Sequence, residues 1–91
     1  MNVSEFERHL GEEGFTAPLA GDYTPHQFNP PHTHPFEVRG LILRGEMTIA
    51  PVGGDPVRYR EGEIFRMPLA AEHTETVGPE GVDYLWGRRD A

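Results

Sequence analysis

Apolar positions recur along this chain in two different rhythms. Near the N-terminus Phe6 and Leu10 stand four residues apart among polar neighbours, the spacing of one helical face. Ser4 and Glu7 form a capping box ahead of them, with Val3 upstream as a hydrophobic staple. Gly11 and Gly14 bound the stretch, so the pattern predicts one short helix over about residues 4–13, lying against the rest of the fold or over it as a lid. Beyond it the rhythm changes to short apolar or alternating runs at 23–28, 36–43, 47–51, 57–59, 64–67, 73–77 and 82–86. Turn-forming clusters such as Arg44-Gly45-Glu46, Gly53-Gly54-Asp55-Pro56 and Gly78-Pro79-Glu80-Gly81 separate nearly all of them. Short strands at that spacing predict an all-β sandwich or barrel. The stiff, extended Phe28-Asn29-Pro30-Pro31 segment delivers the chain into His32.

Composition narrows the chemistry more than the fold. The length of 91 residues suits one domain. The net charge is −7, and all 8 basic residues are Arg. So acidic a surface repels phosphate backbones and anionic lipid, and neither nucleic acid nor membrane is an expected partner. Without Lys there is no Schiff base, and without Cys there is no disulfide, thiolate ligand or thiol nucleophile. The one Ser, Ser4, sits in the helix cap, which leaves no Ser–His–Asp triad. Residues 1–14 carry no apolar run of the kind a signal peptide needs, so the cytoplasm is the expected location. The apolar outer faces expected of so small a barrel suggest a homodimer.

Three histidines carry the strongest chemical signal. In a strand, residues two apart share a face, so His32 and His34 project the same way, about 6.5–7 Å apart along the backbone. That suits two imidazoles on one ion, and His73 on a neighbouring strand would complete a three-histidine site with positions left for water or substrate.

The context of these residues resembles a known family. His32-Thr33-His34-Pro35-Phe36-Glu37 followed by Gly45 is similar to the first motif of the cupins, and Gly62-Glu63-Ile64-Phe65-Arg66-Met67-Pro68 with His73 five residues later is similar to their second. The resemblance covers residues 32–77 and implies a cupin-type jelly-roll β-barrel over about residues 15–88, with the short helix in front, in one domain spanning 1–91. It also implies one divalent metal ion (Fe, Mn, Ni, Co or Zn) held by His32, His34 and His73. The departures are specific. Ala70 stands where the family has Gly, and Val77 where it has Asn. The acidic ligand of the first motif would fall at Val38, with Glu37 one residue early and therefore on the opposite face. A bulge at Pro35-Phe36 would turn Glu37 inward as a ligand or as the catalytic acid/base. Otherwise the site is three histidines alone.

The remaining candidates line the space above the ion. Phe36, Tyr84 and Trp86 are expected in a pocket, with His26 as a hydrogen-bonding neighbour of the ligands. Arg39 would bind a substrate carboxylate if it faced inward, or pair with Glu37 or Glu46 if it faced out. Glu72 and Glu75 are expected to point outward around an inward His73. The function implied is that of a metal-binding protein acting on a small molecule. It could be a mononuclear dioxygenase, an isomerase or a lyase; the alternative is a non-catalytic binding or sensing module.

Overall fold

The computed structural model describes residues 1–90. Helix α1 (Val3–Glu12) is followed by strands β1 (Leu19–Tyr23), β2 (Phe28–His32), β3 (Phe36–Pro51), β4 (Val57–Arg60), β5 (Ile64–Met67) and β6 (His73–Asp90). Two pairs of predicted strands are thus single long ones, because β3 runs through Arg44–Glu46 and β6 through Gly78–Gly81 without breaking.

These two strands organise everything else, and every pairing is antiparallel. The first half of β3 lies between β5 and the second half of β6, which β1 flanks on its other side. The second half of β3 lies between β4 and the first half of β6, flanked in turn by β2. The result is two four-stranded layers that share β3 and β6. Among the described residues no ladder joins β1 to β5 or β2 to β4. The two layers are consistent with the predicted jelly roll, but they are linked through the continuous backbones of β3 and β6 rather than through a closed ring of hydrogen bonds.

Between the layers lies a core of Val38, Ile42, Met47, Ile49, Phe65, Met67, Val77 and Val82. The opposite face of the β3–β5–β6 layer carries Leu41, Ile64 and Leu85, and there α1 lays Phe6 and Leu10, with Phe15 just beyond it. The helix so covers the outside of a layer and is no lid. Its cap is also two residues earlier than predicted. Asn2 accepts from the Glu5 amide at 2.8 Å while Glu5 accepts from the Asn2 amide at 3.1 Å. Asn is as good an N-cap as Ser, and the Met1 ammonium anchors this earlier start by donating to the Gly62 carbonyl at 2.8 Å. No helix among the described residues is long and apolar enough to cross a membrane.

Gly45 is the point on which β3 turns from one layer to the other. It has φ +79°, with register shifts on either side of it in the pairing to β6. The position is mid-strand, not the hairpin tip its flanking residues predict. A methyl group there would collide with the Gly81 carbonyl oxygen on β6. Gly45→Ala is therefore expected to lose at least about 2–3 kcal/mol, from backbone strain plus the collision. Gly53→Ala, at the same φ of +79° but with nothing within 4 Å of the new methyl, should lose only about 1 kcal/mol. Urea unfolding of both variants checks this, and equal losses would contradict the close crossing of β3 and β6.

Candidate metal centre

The ladder between β2 and β6 positions the site. His32 lies directly opposite His73 in its register, and Asn29 opposite Glu75. His34 follows on the turn into β3, where its carbonyl accepts from the Ala70 amide at 3.0 Å. Ala70 holds φ +57°, the left-handed conformation that a Gly would take without strain. This turn ties the segment bearing His34 to the one bearing His73.

The ligand-type nitrogens of His32, His34 and His73 all lie within 4.8 Å of one another. His32 is the hub, with its ring centroid 4.4 Å from that of His73 and 5.1 Å from that of His34. Two of the tautomers follow from the backbone. Nδ1 of His32 lies 2.7 Å from the Pro30 carbonyl oxygen, and Nδ1 of His73 lies 3.1 Å from that of Ala71. A carbonyl can only accept, so each Nδ1 donates, and Nε2 is the nitrogen left to meet an ion. Nε2 of His73 is buried and has no hydrogen-bond partner. A lone pair buried without a donor is costly, and a divalent cation among three imidazoles would satisfy it. The donor set, with its outer nitrogens fixed by carbonyls, fits such an ion.

From His34 a cavity of about 100 Å³ runs inward between the two layers. Phe36 and Trp86 form one wall, with the Phe36 ring stacked on His34 at 5.3 Å. Val38, Phe65 and Met67 add apolar surface, and Tyr23, Tyr84 and Glu75 supply the polar groups. No Arg lines it. The Tyr23 and Tyr84 rings pack 5.5 Å apart, and burial is the main cause holding both phenols above the usual tyrosine range. Both are neutral hydroxyls near neutral pH.

Of the residues the sequence singles out, the structure brings His32, His34, His73, Phe36, Tyr84 and Trp86 together. It separates three others. Glu37 lies on the helix side of β3, where Arg89 pairs with it at 3.0 Å. Phe36 and Val38 face the cavity on either side of it, so no bulge rotates Glu37 inward. Arg39 shares that outer face, set over the Phe15 ring at 4.6 Å with Nη1 2.6 Å from Nε2 of His9. Its neighbour is thus neither of the predicted carboxylates, since Glu46 pairs with Arg58. His26 occupies the turn between β1 and β2 at φ +61°, where its amide donates to Gly78, and it does not line the cavity.

Glu75 is the residue that sequence reasoning misplaces. It stands two residues from His73 on one strand, so both share a face, and both are only 3% exposed. Its Oε1 lies 3.3 Å from Nε2 of His32 and accepts from Asn29 Nδ2 at 3.1 Å. The strand alternation that turned His73 inward was the available signal.

Comparison with known proteins places this geometry. The cupin domain family model matches residues 21–86. A solved protein of unknown function from Rhizobium leguminosarum is 23% identical with a TM-score of 0.76, over 82% of this chain and 70% of that one. An RmlC-like cupin from Shewanella frigidimarina is 16% identical with a TM-score of 0.68, over 82% of this chain and 66% of that one. The DMSP lyase DddQ from Ruegeria pomeroyi is 24% identical with a TM-score of 0.70, over 81% of this chain but 38% of that one. At these identities the likeness is one of fold. No curated protein matches the sequence.

His34 gives the site a measurable pH signature. Burial first, then repulsion from His32 and His73, holds its imidazole below the ordinary value of 6.5, against an opposing pull from Glu75. The folded protein thus takes up this proton less readily than the unfolded chain. Its contribution to stability is present above about pH 6.5 and is lost as pH falls from there through the lower folded value. NMR titration of the metal-free protein should place the His34 midpoint below 6.5, and a midpoint above 6.5 would contradict the crowded, half-buried placement.

Proposed function

The chain belongs to the cupin family, and from that premise we propose that it is a mononuclear metal-dependent cupin acting on a small, uncharged, largely apolar molecule. The observation that carries this reading is the cluster of His32, His34 and His73, with one ligand-type nitrogen of each within 4.8 Å of the others and with Nδ1 of His32 and of His73 tied to carbonyls. His32, His34 and His73 would hold the ion, one of Fe, Mn, Ni, Co or Zn, since no thiolate is available to favour a softer one. When bound, such an ion supplies a Lewis acid and a template with open positions for substrate or O2.

The chain's own residues do the rest. Phe36, Trp86, Phe65 and Met67 exclude water and take the apolar body of the ligand. The Tyr23–Tyr84 pair offers neutral hydroxyls to an oxygen or sulfur on it. No guanidinium faces the cavity and the chain has no Lys, so a sugar acid would meet no counter-charge from a side chain. Among the reaction classes that the resemblance implies, this favours oxygenation of a compact diketone-, thiol- or phenol-like compound over isomerase or lyase chemistry on a carboxylated sugar. The DMSP lyase similarity supports the scaffold, but this chain spans only 38% of that protein. One observation favours the second reading, a binding or sensing module. Glu37, which would have served as acid/base, is tied to Arg89 on the other face.

Metal content of protein purified without added metal tests the centre. We expect close to one ion per chain, reduced at least about tenfold in His73→Ala that retains its far-UV circular dichroism. Equal contents would overturn the metal reading. Oxygen uptake with a panel of diketones and catechols then separates an oxygenase from a silent binder, since a loaded protein silent on every compound overturns the oxygenase reading and favours the binding module.

A further inference from the structure

We infer that Glu75 supplies the carboxylate of the metal centre, from β6, in place of the β3 position that Val38 occupies. The inference rests on the metal reading above. Three observations carry it.

The first is proximity. The His32 ring is held through Nδ1 by the Pro30 carbonyl at 2.7 Å, which leaves Nε2, the nitrogen free for an ion, 3.3 Å from Glu75 Oε1. A cation at His32 would therefore meet the Glu75 carboxylate, and so would a proton on Nε2, which is the rival tested below. The second is burial. Glu75 is 3% exposed, and within 4 Å it meets no Arg among the described residues. Its one donated hydrogen bond comes from the neutral Asn29, too little to offset the desolvation of a charge.

The third is that the carboxylate is held in place. Gln27 accepts from the Thr24 amide and hydroxyl at 3.1 and 3.2 Å, and donates through Nε2 to Asn29 Oδ1 at 2.8 Å. Asn29 in turn donates through Nδ2 to Glu75. Each amide is oriented by the one before it, so the chain from the turn after β1 to Glu75 has a single consistent sense. Glu75 stands just outside the group of three imidazoles, in contact with His32, and a small turn of its side chain toward an ion there would give the mixed nitrogen–oxygen donor set that hard and borderline divalent ions take. Glu37 cannot do this from the far side of β3.

Cobalt(II) is the probe. Its dissociation constant is measured by competition with a chelator and its visible absorption is recorded, for wild type, Glu75→Gln and Glu75→Leu. The inference predicts binding weakened about 10–100-fold in Glu75→Gln with a changed spectrum. Glu75→Leu, which removes the buried charge, should keep or raise the metal-free unfolding midpoint and still bind cobalt weakly. The rival is a structural ion pair between Glu75 and a protonated His32. Loss of the carboxylate would then free the imidazole, and cobalt binding would be unchanged or tighter. Either of those results overturns the inference while leaving the three-histidine centre intact. A wild type that takes up no cobalt overturns the metal reading and this inference together.

Discussion

The antiparallel register between β2 and β6 is the constraint from which the site follows. It sets His32 against His73 and Asn29 against Glu75, so two imidazoles and a hydrogen-bonded carboxylate come from adjacent strands by backbone pairing alone. A slip of one residue would turn the β2 donors to the outer face. The pairing shifts register between Asn29 and His32, at Pro30 and Pro31, which lets both residues face their partners on β6, and the Pro30 carbonyl also holds the His32 ring. Backbone and ligand geometry are in this way one problem.

That register depends on β6 being continuous. Its first half carries His73 and Glu75, while its second half pairs with β1 and β3 and carries Tyr84 and Trp86 into the cavity. The bends that let β3 and β6 serve both layers bring the aromatic wall over the histidines. The helix contributes from outside, since Phe6 and Leu10 seal Leu41 and Leu85. A rigid scaffold with polar groups concentrated at one end is what a preorganised site requires.

How much of this the sequence reveals depends on the range of the interaction. The three histidines are legible because His-x-His has the strand period and the two motifs fix the second strand. Tyr84 and Trp86 are legible by the same parity, whereas Tyr23, which also lines the cavity, is not. Glu75 obeys that parity too, but acidic residues beside a histidine read as solvated surface unless strand alternation is applied to each of them. Glu37 fails for a tertiary reason, because Arg89 and the Phe15 ring make the helix side of β3 a good place for charge. The continuity of β3 and β6 is hidden by glycine-rich segments that resemble turns, since Gly45 at positive φ serves a bend as well as a hairpin. The open seams of the sheet depend on which strands fail to meet, and no local pattern encodes that.

The central claim is that one ion sits where His32, His34 and His73 converge at the mouth of an apolar cavity. Anomalous diffraction from cobalt-loaded crystals at the cobalt edge tests it most directly. The account predicts a single strong peak about 2.0–2.2 Å from one nitrogen of each of the three imidazoles. A peak confined to surface carboxylates, or an empty map at this position in protein shown to carry cobalt, would contradict it.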